Sequence, residues 1–308
     1  MNCGETNCAE MKGRAQIRML SDGRRLHMQD GPIDVIVHAF GERREIELAY
    51  RAAARRFVGV LDELCSELAY LRQPACESGP LPSGMVARRM VAAVRPYAAD
   101  TFITPMAAVA GSVAEEILES MMSIAKPSRA YVNDGGDIAL HLSPGEKFVV
   151  GMVERPDQAS LFGTTTILSR DSIRGIATSG WRGRSFSLGI ADAVTVLADT
   201  AAMADAAATV VANAVDLPGH PKVERIQACQ LTPDSDLGER MVTQAVGELS
   251  HDEIFAALEA GIRMAERLRG SRLIHAAALN LQGQTRVVGA GCSPLMVSSM
   301  PDRRLVNA

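Results

Sequence analysis

Between residues 130 and 198 the chain offers six short β-forming segments in succession, with no helical stretch between them long enough to serve as a crossover. The segments are AYVN, DIALHLS, KFVVGMVE, GTTTILS, IRGIATS and AVTVLA, together rich in β-branched residues and divided by Gly, Pro and Asp. Strands joined by short turns run antiparallel, because a parallel pair needs a connection of a dozen or more residues. Long helical stretches flank this run instead of alternating with single strands. The pattern therefore reads as α+β, with antiparallel sheets packed by long helices, and not as a doubly wound sheet.

Ahead of the β run, Ile33, Val35 and Val37 alternate with Asp34, Ile36 and His38, the period of a half-buried strand. Over residues 44–73 the period changes: Ile46, Tyr50, Ala53, Phe57, Leu61, Leu64, Leu68 and Leu71 form the stripe of one long amphipathic helix, which Pro74 ends. A loop, CESGPLPSG, leads to a second helix over 85–95. Thr104 as N-cap and Pro105 at the first helical position open MAAVAGSVAEEILESMMSIA. Its first turns hold Ala107, Ala108, Ala110 and Gly111, small enough for another backbone or a ligand to come close, and close packing against a sheet is the expectation. Beyond the β run lies an Ala-rich helix over 201–215, capped by Asp199 or Thr200. Ser250 and Glu253 form a capping box for EIFAALEAGIRMAERLRG, which Gly270 closes. LIHAAALNL and TRVVGAG flank Gln282-Gly283 as a hairpin. Residues 1–30 read as an N-terminal lead-in ending in a short strand, and 31–308 as one domain.

Composition narrows the function. A 308-residue chain that is 47% hydrophobic can bury a core without staples, yet only 4% of it is aromatic. Stacking platforms for single-stranded nucleic acid are thus not expected, and a net charge of −4 gives no general attraction for phosphate backbones. No apolar run reaches a membrane-spanning length, and the first thirty residues hold no apolar signal core, so a cytoplasmic protein without membrane partners is expected. The six Cys form no CxxC pair and read as free thiols, Cys3 and Cys8 included. A homodimer is compatible with all of this.

Three stretches depart from ordinary packing. Asn133-Asp134-Gly135-Gly136-Asp137 follows a strand, and its paired glycines either expose backbone N–H groups to an anion or flat ring, or simply turn a hairpin. Thr178 and Ser179 stand between Gly175 and Gly180 at the end of a β segment, where their hydroxyls can bond a ligand or close a turn. No Gly-x-Ser-x-Gly elbow is present, and no His follows within forty residues, so a serine hydrolase is not supported. In ADAAAT, Asp205 and Thr209 share one helical face, a hard-oxygen pair suited to Mg²⁺ with phosphate oxygens completing the shell. Among Ala, Met and Val neighbours the Asp205 carboxylate needs a cation, and either a metal or an Arg from elsewhere would serve.

Taken together, VNDGGDI, ATSG and ADAAAT resemble, in order and approximate spacing, the signature segments of the ApbE family, the FAD:protein FMN transferases. The resemblance covers roughly residues 100–215. It implies an ApbE-like, T-fold-related α+β architecture. It also implies that Gly135, Gly136, Asp137, Thr178 and Ser179 meet a flavin such as FAD or FMN, and that Asp205 and Thr209 hold Mg²⁺ at the pyrophosphate.

The departures from that family are specific. Where it carries Asp-Leu-Gly-Gly-Ile-Ala-Lys-Gly, this chain has TPMAAVAG, with Ala110 in place of the Lys. Its His and Ile-Asp-Pro-x-Thr-Gly segment are replaced by the shorter WRGRSFSLGIADAV. In that replacement, Trp181 can lie on a flat ligand and Arg182 and Arg184 on phosphates, or the stretch can form an exposed basic turn with Trp181 partly buried as a wedge. The residues associated with flavinyl transfer are missing while those associated with holding the nucleotide remain. The expectation is a short cytoplasmic ApbE-like branch that binds a phosphorylated, nucleotide-like ligand in cofactor handling or electron transfer. A non-catalytic assembly protein and a divergent FMN transferase are the alternatives. His38, His141, His220 and His275 show no metal-ligand spacing, and the thiol in Gly291-Cys292-Ser293 has no readable base beside it.

Overall fold

Alternation and turn chemistry set the strands. A computed structural model describes residues 14–155 and 158–289, with backbone alone at 152–155 and 158–163. In chain order the elements are β1 (Gln16–Met19), β2 (Leu26–Asp30), β3 (Ile33–Phe40), α1 (Arg43–Phe57), α2 (Val60–Ser66), α3 (Leu68–Leu71) and α4 (Met85–Val94). Then come α5 (Val109–Ile124), β4 (Arg129–Asp134), β5 (Asp137–Leu142), β6 (Lys147–Arg155), β7 (Gln158–Leu168), β8 (Gly175–Ser179) and β9 (Ala193–Ala198). The last are α6 (Ala201–Ala214), β10 (Val223–Gln227), α7 (Ala228–Leu231), β11 (Met241–Val246), α8 (His251–Gly270), β12 (Ala276–Leu281) and β13 (Gln284–Val288).

Among the described residues nine strands form one antiparallel sheet in the order β1-β2-β3-β4-β5-β8-β9-β12-β13, and β6–β7 and β10–β11 are separate two-stranded sheets. The α+β expectation holds. One face of the large sheet carries the helices. Over its first half Val35, Val37, Ala130 and Val132 pack with Phe57 of α1 and Val113, Ile117 and Met121 of α5. Over the second half Ala177, Val194, Val196 and Leu279 pack with the Ala-rich α6 and with Ile254 and Leu258 of α8. The β6–β7 hairpin covers part of the opposite face, bringing Ile167 and Phe148 onto Leu140, Leu142, Ile176 and Leu197. Being covered on both sides, β9 and β12 are buried at every residue, which explains their unbroken apolar runs.

The two halves meet at a narrow seam. β3 and β4 pair at six positions, but β5 and β8 pair only at Ile138↔Ile176 and Ala139↔Gly175. Leu140 adds one N–H bond to Arg174 O, 2.9 Å long. Above the seam α5 and α6 pack against each other.

Several expectations need correction. The helix expected over 44–73 is broken into α1, α2 and α3: Gly59 at φ 103° separates α1 from α2, and Glu67 at φ −114° and ψ 9° separates α2 from α3, although the apolar stripe continues through both. Thr104 does not cap its helix. Pro105–Ala108 is a 3₁₀ turn, and the Thr104 hydroxyl instead donates to the carboxylate of Asp236. The lead-in does not end at a boundary: β1 and β2 belong to the large sheet, and Met28 is fully buried. Cys3, Cys8 and the Gly291-Cys292-Ser293 stretch lie outside the described residues. No helix among the described residues is long and apolar enough to cross a membrane.

Candidate ligand site at the sheet seam

Gly135 and Gly136 form the two-residue turn of the β4–β5 hairpin, at φ 66° and 116°, the left-handed region that such a turn requires. Asn133 Oδ1 accepts the Gly136 N–H at 2.8 Å and fixes the turn. Locally, then, this stretch is the hairpin that its Asp-Gly signal announces. Its flanking carboxylates are less ordinary. Asp134 follows Ala130 and Val132 on the helix-covered face and is only 5% exposed. Asp137 shares that face with Ala139 and accepts the Thr178 N–H at its Oδ1, 3.3 Å away across the seam. This bond joins the first two motifs directly.

Alternation along β8 then separates the two hydroxyls. Thr178 turns to the opposite face, where its Oγ1 meets Thr195 Oγ1 at 2.9 Å. Ser179 returns to the side of Ala177, half-buried.

The third motif arrives on α6. Thr200 is its N-cap, accepting the Met203 N–H. Asp205 is met neither by an Arg nor by any other side-chain cation among the described residues. Its Oδ2 accepts the Gly111 N–H at 3.0 Å, and Ala110 supplies a second backbone bond. Both amides belong to the first turn of α5, where the helix leaves N–H groups unpaired and carries partial positive charge. Where the sequence left a metal or an Arg as the counterpart of Asp205, no Arg meets it, and the amides of a helix end bond its carboxylate.

The arrangement is reciprocal. Glu115 of α5 accepts the Ala202 N–H in the first turn of α6 at 2.8 Å. The two helices cap each other because Gly111 has no Cβ; one there would collide with the Ala201 carbonyl. The small-residue stripe is therefore a packing device, though against a helix as much as a sheet. Thr209 lies one turn beyond Asp205 on the same face, half-buried.

Electrostatically the seam is acidic. Burial pushes the Asp134 carboxyl up to about 7, while the Arg184 guanidinium pulls against it. Burial also raises Asp137, and the neighbouring charges of Asp205 and Asp134 add to that shift. Asp205 is raised mainly by burial too, opposed by the Gly111 amide. Buried Asp134 and half-buried Asp137 and Asp205 therefore share one neighbourhood, and among the described residues the cation felt there is Arg184, whose guanidinium lies against Gly135.

Among the described residues no group of three His, Cys, Asp or Glu side chains could hold a metal ion. Asp205 and Thr209 alone are too few donors for a resident metal. They match the number that Mg²⁺ takes from protein when ligand phosphates and waters complete its octahedron.

Trp181 and Arg182 are engaged elsewhere. Trp181 Nε1 and Arg182 Nε both donate to Asp192 Oδ1, at 3.1 and 2.6 Å, and the guanidinium lies 4.4 Å over the indole. Asp192 is almost fully buried, and its other oxygen accepts the Gln282 N–H at 2.6 Å. Both side chains hold their loop in place and do not lie over the glycine turn. Sequence reasoning missed Asp134 and Glu115 as members of this cluster and weighed Arg184 only with its neighbours. Asp134 was legible as a polar residue at a strand position of apolar alternation; Glu115 gave no such signal.

The family described as AbpE bacteria matches residues 17–287 of this chain. A UPF0280 protein of Methanosarcina barkeri is 38% identical over 148 residues, 45% of this chain and 52% of that protein. One of Methanococcoides burtonii is 40% identical over 141 residues, 45% of this chain and 55% of that protein. The chain spans about half the length of the curated relatives it matches. A crystal structure of the Pseudomonas stutzeri flavinyl transferase ApbE, apo form, aligns at 12% identity with a TM-score of 0.47, covering 89% of this chain and 94% of that one.

Proposed function

Because this chain belongs to the AbpE bacteria family, we propose that it binds a flavin or a related phosphorylated nucleotide together with Mg²⁺, in the cytoplasm, for cofactor handling or electron transfer. One observation carries the reading. Three motifs distant in sequence converge on one acidic neighbourhood, with Asp137 bonded to Thr178 and electrostatically coupled to Asp205. Buried carboxylates in excess of nearby cations favour a ligand that brings positive charge with it, as Mg²⁺ on a pyrophosphate does. In this reading Asp205 and Thr209 hold the ion, and Gly135 and Gly136 leave room for the phosphates. Mg²⁺ would supply neutralisation of phosphate charge.

Flavinyl transfer is not the expected activity. Where the transferases carry a Lys, Ala110 offers only its backbone N–H, already directed at Asp205. General acid–base help typically contributes 10²–10⁴-fold, and no His or Lys stands at the aligned positions to supply it. Incubation with FAD and an acceptor protein should leave no FMN that survives denaturation of the acceptor. Rapid Mg²⁺-dependent labelling would restore the transferase reading.

Calorimetric titration with FAD, FMN and ADP, in Mg²⁺ and in chelator, tests the binding. Wild type should bind at least one of them more tightly with Mg²⁺. Asp205→Asn should bind more weakly and lose that dependence while keeping its fold, since the amide oxygen still accepts the Gly111 N–H. Thr209→Val should show a smaller loss of the same kind. Wild type that binds none of the three ends the flavin reading and leaves an assembly role as the better account. Equal binding in chelator, with Asp205→Asn unaffected, ends the metal role.

A further inference from the structure

The loop between β8 and β9 is tied down at both ends and free in the middle. At its start Trp181 and Arg182 are fixed to Asp192, and Gly183 N–H closes a turn onto Gly180 O at 3.1 Å. At its end Asn213 Oδ1 accepts from Ser187 Oγ and Leu188 N–H at 3.2 and 2.9 Å. Between these anchors Arg184, Ser185 and Phe186 are exposed. Arg184 does not point away from the protein. Its guanidinium occupies the place that a Cβ on Gly135 would fill, so the bare glycine backbone is its seat.

Seated there, it forms no ion pair within 4.0 Å with any carboxylate among the described residues, although its charge is felt at both Asp134 and Asp137. Next to it, the side of Gly136 where a side chain would stand is open, with no atom within 4 Å. An exposed planar cation with unused donors thus faces an open backbone turn, beside the acidic cluster of Asp134, Asp137 and Asp205, which repels an anion that brings no cation with it.

We infer that Arg184 is the phosphate-recognition residue of this site, and that it confines the ligand class to phosphorylated nucleotides over their nucleosides. The inference rests on the nucleotide-binding reading above and adds to it the group that reads the anion. A guanidinium presents two parallel N–H donors that fit two phosphate oxygens, and such charge-assisted pairs are about twice as strong as neutral hydrogen bonds. Arg182, committed to Asp192, does not share this role.

Titration of wild type, Arg184→Gln and Arg184→Lys with FMN, riboflavin, ADP, adenosine and inorganic pyrophosphate tests it. Wild type should prefer FMN to riboflavin, and ADP to adenosine, by about tenfold or more. Arg184→Gln should lower both ratios several-fold, leaving only the part that Mg²⁺ supplies, with riboflavin and adenosine affinities unchanged. Arg184→Lys should fall between, keeping the charge and losing the fork. Arg184 is exposed, so these variants keep the fold, which the single Trp181 reports by its fluorescence. A phosphate preference undiminished in Arg184→Gln overturns the inference, as does wild type that binds riboflavin as well as FMN. Arg184-dependent binding of pyrophosphate without any flavin or adenine compound keeps the anion site and sinks the flavin reading. Binding of none of the five sinks both.

Discussion

With 5% of its surface exposed, Asp134 faces the helix layer and has its carboxyl pushed up to about 7 by burial, against an ordinary value near 3.8. Asp137 and Asp205 are shifted in the same direction. A carboxyl whose folded pKa lies above its unfolded value keeps its proton longer in the fold. Its stabilising contribution is complete below about pH 4 and is lost as pH rises through about 7. The ligand-free protein should therefore have a higher Tm at pH 5.5 than at pH 7.5. Asp134→Asn, which cannot ionise, should flatten part of that slope. A Tm that rises between pH 5.5 and 7.5, or an unchanged slope in the variant, would contradict the acidic seam. The same residue scale explains why the sequence left the partners of Trp181 and Arg182 open. Their donors match a phosphate or a buried carboxylate equally well, and only the fold puts Asp192 within 3.1 Å of both.

At the scale of elements, α5 and α6 hold each other by reciprocal capping, and the contact depends on Gly111. Gly111→Ala would drive a methyl group into the Ala201 backbone, which cannot swing aside as a flexible side chain can. A loss of about 1–3 kcal/mol is expected, read as a lower denaturant midpoint, together with weaker nucleotide binding because Asp205 loses its amide partners. Gly270 provides the control. It is the exposed last residue of α8 with no atom within 4 Å of a built Cβ, so Gly270→Ala should be neutral or stabilise by about 0.5–1 kcal/mol. Equal effects of the two substitutions would show that the α5–α6 contact is not the tight one.

Across the whole molecule, two half-sheets, each with its own helix-covered core, are joined where β5 meets β8 at two paired positions. The candidate ligand site lies on this seam, bridged by the Asp137–Thr178 bond. Local opening follows hydrogen-bond density and packing. Amides of Leu140 and Thr178 should therefore exchange with deuterium before those of Val37, Val132 and Val196, although most of these residues are well covered. Nucleotide binding should slow exchange at the seam more than elsewhere. Uniform exchange across the sheet would make the seam no weaker than its flanks.

Much of this was readable from the chain. Antiparallel strands over 130–198, the Ser250–Glu253 capping box, the Gly135-Gly136 turn and the Gln282-Gly283 hairpin all follow from side-chain period and local φ preferences, which a sequence carries residue by residue. The break at Gly59 escaped because period reports which face a residue occupies and not the backbone angle between two turns. β1 and β10 escaped because short strands exposed or half-buried along their length show no clear alternation. The partners of polar groups were decided by the tertiary structure alone. Asp205 is answered by amides 94 residues earlier, Thr104 by a carboxylate 132 residues later, and Arg184 finds its seat on another hairpin. A buried polar group needs a partner, and its local sequence states only that need. Which helix end, carboxylate or bare glycine meets it is fixed when packing brings distant elements into contact.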